Sequence, residues 1–195
     1  MRTNITAPRS TLVLVVIGWL LPSLVAAAAT PATMRVDVMH GGDAKSQSYA
    51  LERVLIEPLP WAGNPARAID TSNRGQCKFE IVDAASGKVL YSRGYSTVFG
   101  EWRTTDEAQK LARAFEESLR FPEPAAPFQV RVYERDTANA FAPVWQVDID
   151  PAAGDVIRKA MPAPATPIAI RESGPSPDKV DLLILGDGYT AAEAA

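Results

Sequence analysis

Four stretches of the chain alternate apolar and polar residues with a period of two: MRVDVMH (34–40), QCKFEIV (76–82), FQVRVYE (128–134) and VWQVDI (144–149). Alternation of this kind sends successive side chains to opposite faces of a strand, one face for a core and one for water. A chain written this way is committed to sheets covered on one side, which are usually antiparallel. In MRVDVMH the inward set is Met34, Val36 and Val38, opposite Arg35 and Asp37. ALERVLIEPL (50–59) reads as another strand. The turn cluster Asp83-Ala-Ala-Ser-Gly87 joins QCKFEIVD to KVLYSRGYS as a hairpin, and a Thr-Ala-Asn segment joins FQVRVYERD to PVWQVDID as a second. Strands at short spacing with turn residues between them predict a mainly β chain folded as an antiparallel β-sandwich.

One helix is expected within this pattern. TTDEAQKLARAFEES (104–118) opens with Thr104 and Glu107 at capping-box spacing and acidic residues in the first turn. Ala108, Leu111, Ala112 and Phe115 then form one apolar stripe, and Pro122 stops any continuation.

The two ends of the chain read differently. Arg2 and Arg9 precede the apolar run LVLVVIGWLL (12–21), which is followed by Pro22-Ser23 and LVAAAA. A basic start, an apolar run and a small-residue end predict a signal peptide over residues 1–28, and so an exported chain, periplasmic or extracellular, free of the membrane once cleaved. The sandwich is expected over residues 33–157. Pro162, Pro164, Pro167, Pro175 and Pro177 mark 158–177 as a linker, because dense proline holds a chain extended and cannot serve a sheet interior. Residues 178–195, KVDLLILGDGYTAAEAA after Asp178, read as a strand apolar on both faces, a tight turn and the first turn of a helix. That is the beginning of an α/β domain.

The chain is poor in the residue types that catalysis needs. Its 20 Lys and Arg against 23 Asp and Glu form no basic stripe, so nucleic acid is not an expected partner. With one cysteine it can close no internal disulfide, and Cys77, in register with Phe79 and Ile81, is expected to pack as a small hydrophobe. The one histidine, His40, stands beside Gly41-Gly42 and is expected to be an exposed turn residue. One imidazole cannot furnish an H-E-x-x-H helix, no G-x-S-x-G occurs, and Asp148 and Asp150 fit a solvated strand face. No catalytic, cofactor or metal residue is assigned. Trp61 in PLPWAGNP and Trp102 in FGEWRTT lie in loops with arginines nearby, and they are the candidate binding surface for a glycan or peptide.

The stretches RVLIEPLPWAGNPARAIDTSNRG (53–75), YSRGYSTVFGEWRTTDEA (91–108), FEESLRFPEP (115–124), VWQVDIDP (144–151) and DKVDLLILGDGYTAAE (178–193) carry a family resemblance. The chain resembles the N-terminal region of the IgA-peptidase family of secreted bacterial zinc metallopeptidases, metallopeptidase family sixty-four. The resemblance implies a β-sandwich ahead of an α/β catalytic domain with an H-E-x-x-H zinc helix, of which LLILGDGYTAAE is similar to the first strand and turn. The family's zinc ligands and catalytic glutamate have no counterpart in these 195 residues. The expected role is therefore a non-catalytic accessory domain, a fragment of a longer enzyme. Zinc would belong to that parent, the missing catalytic domain would be the partner, and an extracellular protein or glycan the substrate. The alternative is a stand-alone secreted binding module.

Overall fold

The computed structural model describes residues 30–161 and 168–184. The predicted signal peptide, three of the linker prolines and the segment from Leu185 onward lie outside the described residues.

Strand β1 (Ala32–Gly42) is central in the first sheet. It pairs antiparallel with β2 (Gln47–Pro60) on one side and with β5 (Arg113–Pro122) on the other, while the short β8 (Ile157–Arg158) adds parallel to β2. The second sheet runs β4-β3-β6-β7, with β3 at Cys77–Asp83, β4 at Val89–Tyr95, β6 at Phe128–Arg135 and β7 at Phe141–Ile149, all antiparallel. Among the described residues a single α-helix, α1, occupies Val98–Trp102. The expected mainly β sandwich with one helix is what the chain forms.

The period-two pattern explains the packing. Met34, Val36 and Val38 from β1, Val54 and Ile56 from β2, and Leu119 and Phe121 from β5 meet Phe79, Ile81, Val130, Val132 and Phe128 across the interface in one buried cluster. Phe121 sits at its centre, with ring centroids 6.3 Å from Phe79 and 5.7 Å from Phe128. Cys77 is buried in the same row as Phe79 and Ile81, as its register requires.

Strand β2 departs from simple alternation. Its pairing with β1 steps from Asp37↔Arg53 to Val38↔Leu51, leaving Glu52 as an extra residue. A bulge of this kind shifts the strand by one position. Val54 and Ile56 therefore face the core on one side of Glu52, and Gln47 and Tyr49 face inward on the other.

The outer face of the first sheet holds a buried charge. Asp37 lies directly opposite Arg53 on β2 and Ser118 on β5. It accepts from Arg53 Nε at 2.6 Å, Arg35 Nη2 at 2.9 Å and Ser118 Oγ at 2.7 Å, and its side chain is fully covered. Burial pushes the Asp37 carboxyl up, but the donors from Ser118, Arg53 and Arg35 outweigh it and hold the group below its ordinary value.

A second acid ties the long 61–76 connection to the edge of the other sheet. Asp70 accepts from the backbone N–H of Ser72 and of Gly94, both at 2.8 Å, and these bonds, led by those from Ser72, hold its carboxyl at about 2. The approach is close: a Cβ on Gly94 would lie 2.0 Å from the Arg74 carbonyl oxygen, so only glycine fits beneath this connection. Both carboxyls titrate lower in the folded chain than in the unfolded one, where Asp stands at about 3.9. Their contribution is thus complete above about pH 4 and is lost as pH falls through the depressed native values, toward about 2 for Asp70. Urea midpoints measured at pH 5, 3 and 2 are expected to fall steadily, and Asp70→Asn is expected to flatten part of that slope.

The helix expected over 104–118 does not form, and the reason is tertiary. Residues 113–122 instead supply β5, which satisfies the free edge of β1 through ten register pairs from Thr33↔Pro122 to Gly42↔Arg113. As a strand, Glu117, Leu119 and Phe121 share the inward face, while Leu111 of the expected helical stripe is left 42% exposed. Glu107, the expected capping acid, accepts instead from Trp102 Nε1 at 2.9 Å and Arg113 Nη2 at 2.6 Å. The helix forms earlier, where Thr97 Oγ1 caps α1 by accepting from Gly100 N–H at 2.8 Å.

After β8, the described residues 168–184 add to neither sheet. The expected strand beginning at Val180 is not formed over 180–184: Val180 is 93% and Leu182 85% exposed. A strand apolar on both faces gains nothing from a sandwich whose interior is already filled. Deleting residues 178–195 is expected to change unfolding free energy by no more than about 0.5 kcal/mol and to improve solubility. Denaturant titration and light scattering measure both.

Candidate functional site

One end of the sandwich interior is polar. Every strand that reaches it brings an inward-facing side chain: His40 from β1, Gln47 and Tyr49 from β2, Glu117 from β5, Cys77 from β3, Tyr95 from β4 and Glu134 from β6. Phe99 of α1 and Arg103, just after it, close over the group.

His40 is its hub. The expectation of an exposed turn histidine is corrected here: the ring is 1% exposed. β1 does not stop at the glycines but runs to Gly42, so His40 falls on the same inward face as Met34, Val36 and Val38. Its Nδ1 lies 2.7 Å from Glu117 Oε1 and its Nε2 3.0 Å from Gln47 Oε1. Tyr49 and Phe99 cover the two ring faces, with centroids at 3.9 and 4.0 Å. Gln47 donates its amide to Glu134 Oε2, and Arg103 Nη1 bridges Gln47 Oε1 at 3.2 Å and Glu134 Oε1 at 3.0 Å. A continuous chain of polar contacts thus runs from β5 through β1 and β2 to β6, linking the two sheets.

The electrostatics of this end do not favour catalysis. Burial, with Glu134 and Glu117 adding to it, pushes the Cys77 thiol up to about 12, so it stays protonated and inert at neutral pH. Burial likewise drives the Tyr49 and Tyr95 phenols far above their usual range, with nearby carboxylates reinforcing the shift. The Tyr49 and Tyr95 hydroxyls and Glu117 Oε2 are buried without a hydrogen-bond partner among the described residues. Both nitrogens of His40 are engaged, leaving no free lone pair for a substrate.

Zinc, which the resemblance implies for a parent enzyme, does not fit these donors. A zinc site needs three or four convergent ligands. Here the imidazole is held at both nitrogens, the thiol is protonated, and no three His, Cys, Asp or Glu side chains among the described residues converge on one point. No step through zinc can be assigned to this end of the fold.

The two tryptophans proposed as a binding surface are not presented as one. Trp61 lies near the start of β1, its backbone N–H donating to the Pro31 carbonyl at 2.9 Å and its ring edge-on to Tyr91 at 5.7 Å. Trp102 lies near the other end of β1, packed on Phe99 and Phe115. Both are more than nine-tenths covered, so each plugs an end of the core and neither offers a flat face on which a sugar could stack. Asp148 and Asp150 are exposed; Asp148 accepts from Gln129 and Asp150 caps the following turn at Ala152.

The residues missed from the sequence were the inward polar row, His40, Glu117 and Glu134. Their signal was present: each continues the period-two face of its own strand by one or more steps.

The family model described as Peptidase M64 N-terminus matches residues 26–146, which takes in both layers of the sandwich. The chain belongs to this family. No curated protein matches it closely enough to report. Within the matched stretch, the buried imidazole of His40 is held at both nitrogens by Glu117 and Gln47, neighbours in its own sheet.

Proposed function

We propose that this chain is the non-catalytic accessory domain of an exported, IgA-peptidase-like zinc metallopeptidase of the M64 family, folding ahead of the catalytic domain and supporting it. The observation that carries this reading is the contrast between the two parts of the chain. The sandwich is closed, its interior filled by one apolar cluster and ended by a polar network that reaches both sheets. Beyond it, the apolar segment Val180–Ile184 joins neither sheet and stands exposed. Such a segment suits a covered, parallel sheet of another domain. The partner on this reading is the catalytic domain of the same polypeptide, which would hold the zinc and meet an extracellular protein or glycan substrate. Export rests on the basic-apolar-small pattern of residues 1–28.

The test is the genomic reading frame past Ala195. An in-frame H-E-x-x-H downstream is the expected result; a stop codon with no peptidase sequence near it would overturn the proposal. The stand-alone binding module gains no support from the tryptophans, since their rings face inward.

A further inference from the structure

We propose that His40 is a doubly protonated imidazolium, a buried cationic clasp that ties β5 to β2 across β1, with Gln47 carrying the contact on to Glu134 of the second sheet, and that seats α1 on the end of the sandwich. The argument begins with Gln47, whose orientation two neighbours fix independently. Its Nε2 donates to the Glu134 carboxylate, and its Oε1 accepts from Arg103. Reversing the amide would set oxygen against carboxylate and N–H against guanidinium. With Gln47 so fixed, His40 Nε2 faces an oxygen that can only accept, and Nδ1 faces a carboxylate oxygen at 2.7 Å. An imidazole with acceptors at both nitrogens must donate from both.

The charges agree with this assignment. The charged groups at this end are Glu117 from β5, Glu134 from β6 and Arg103 after α1; Gln47 and Tyr49 of β2, Cys77 of β3, Tyr95 of β4 and Phe99 of α1 complete the surroundings. Arg103 is spent on Glu134. Among the described residues Glu117 has no cation but His40, and its second oxygen is buried with no partner. Without a charged His40 it would be a buried carboxylate without compensation, an expensive state. Aromatic rings cover both imidazole faces, and such faces attract a cation. The competing arrangement places the proton on Glu117, which would then donate to a neutral Nδ1.

His40 is the chain's one histidine, so its ring signals assign themselves. In the full chain with ring-labelled histidine, nitrogen NMR at neutral pH is expected to show two protonated ring nitrogens. One protonated and one bare nitrogen would place the proton elsewhere and overturn the proposal. Glu117→Gln is expected to convert the ring to a single N–H and to speed amide exchange in residues 98–103 at least tenfold relative to β3. A folded variant with an unchanged ring spectrum, or with α1 as protected as before, would equally overturn it. The spectrum of the native chain decides the protonation state even if the variant does not fold.

Discussion

Phe121→Ala is expected to cost about 3–5 kcal/mol of unfolding free energy, a large share of what a domain this size has to lose. Phe121 is fully buried on β5 and touches Phe79 and Phe128, both on the opposing sheet, so its removal opens a void that neither layer can close alone. Cavity cost is greatest where the walls belong to separate rigid layers, because a sheet cannot move one strand inward without breaking its ladder. Urea denaturation of wild type and variant measures it, and the melting temperature should drop by roughly 10–20 °C. Val144→Ala, at a more exposed site on β7, serves as the control and is expected to shift stability by less than about 0.5 kcal/mol. A Phe121→Ala loss below about 1 kcal/mol would mean that the two sheets do not meet at this ring.

Asp37→Ala is the next largest, at about 2–4 kcal/mol. The substitution leaves Ser118 Oγ without its acceptor and two guanidiniums crowded over an apolar gap. Arg35 and Arg53 are partly exposed and can recover some hydration, which holds the figure below that for a fully buried pair. Asp37→Asn separates charge from shape. It retains an acceptor for Ser118 but loses the ion pairs, and its deficit should shrink in high salt less than that of a surface pair would. Equal stability of Asp37→Asn and wild type from pH 5 to 8 would show that the carboxylate charge is not what binds β1 to its two neighbours.

Much of this fold could be read from alternation alone. The strands through Met34, Cys77 and Phe128 were legible because each has its apolar residues on one side, and the Asp83–Gly87 turn was legible because its chemistry is local: Ser86 donates to Asp83, and Gly87 takes φ 69°. The segment 104–118 was misread for the opposite reason. Its helical signals are local and real, yet β1 needs a second neighbour, and the ladder offered by 113–122 outweighs a weak apolar stripe. His40 was misread because the glycines after it suggested a turn, whereas the strand continues through them. The polar end was the least legible part. Glu117 and Glu134 look like solvent-facing acids until the bulge in β2 and the closure of α1 bring Gln47, Tyr49 and Arg103 against them. The tryptophans drew attention as loop residues, and loops at the ends of a sandwich are where large rings fill the gaps between layers.

The extra residue at Glu52 has an implication for how this domain can change over time. Because it divides β2 into two independently phased halves, the apolar interior and the histidine end are written in separate registers on one strand. Loss of that single codon would leave a regular strand with the same partners, Arg53 opposite Asp37 and Leu51 opposite Val38, and would keep Gln47 and Tyr49 on the inward face with Val54 and Ile56. Descendants could thus straighten this strand in one genetic step without disturbing either the polar end or the hydrophobic centre.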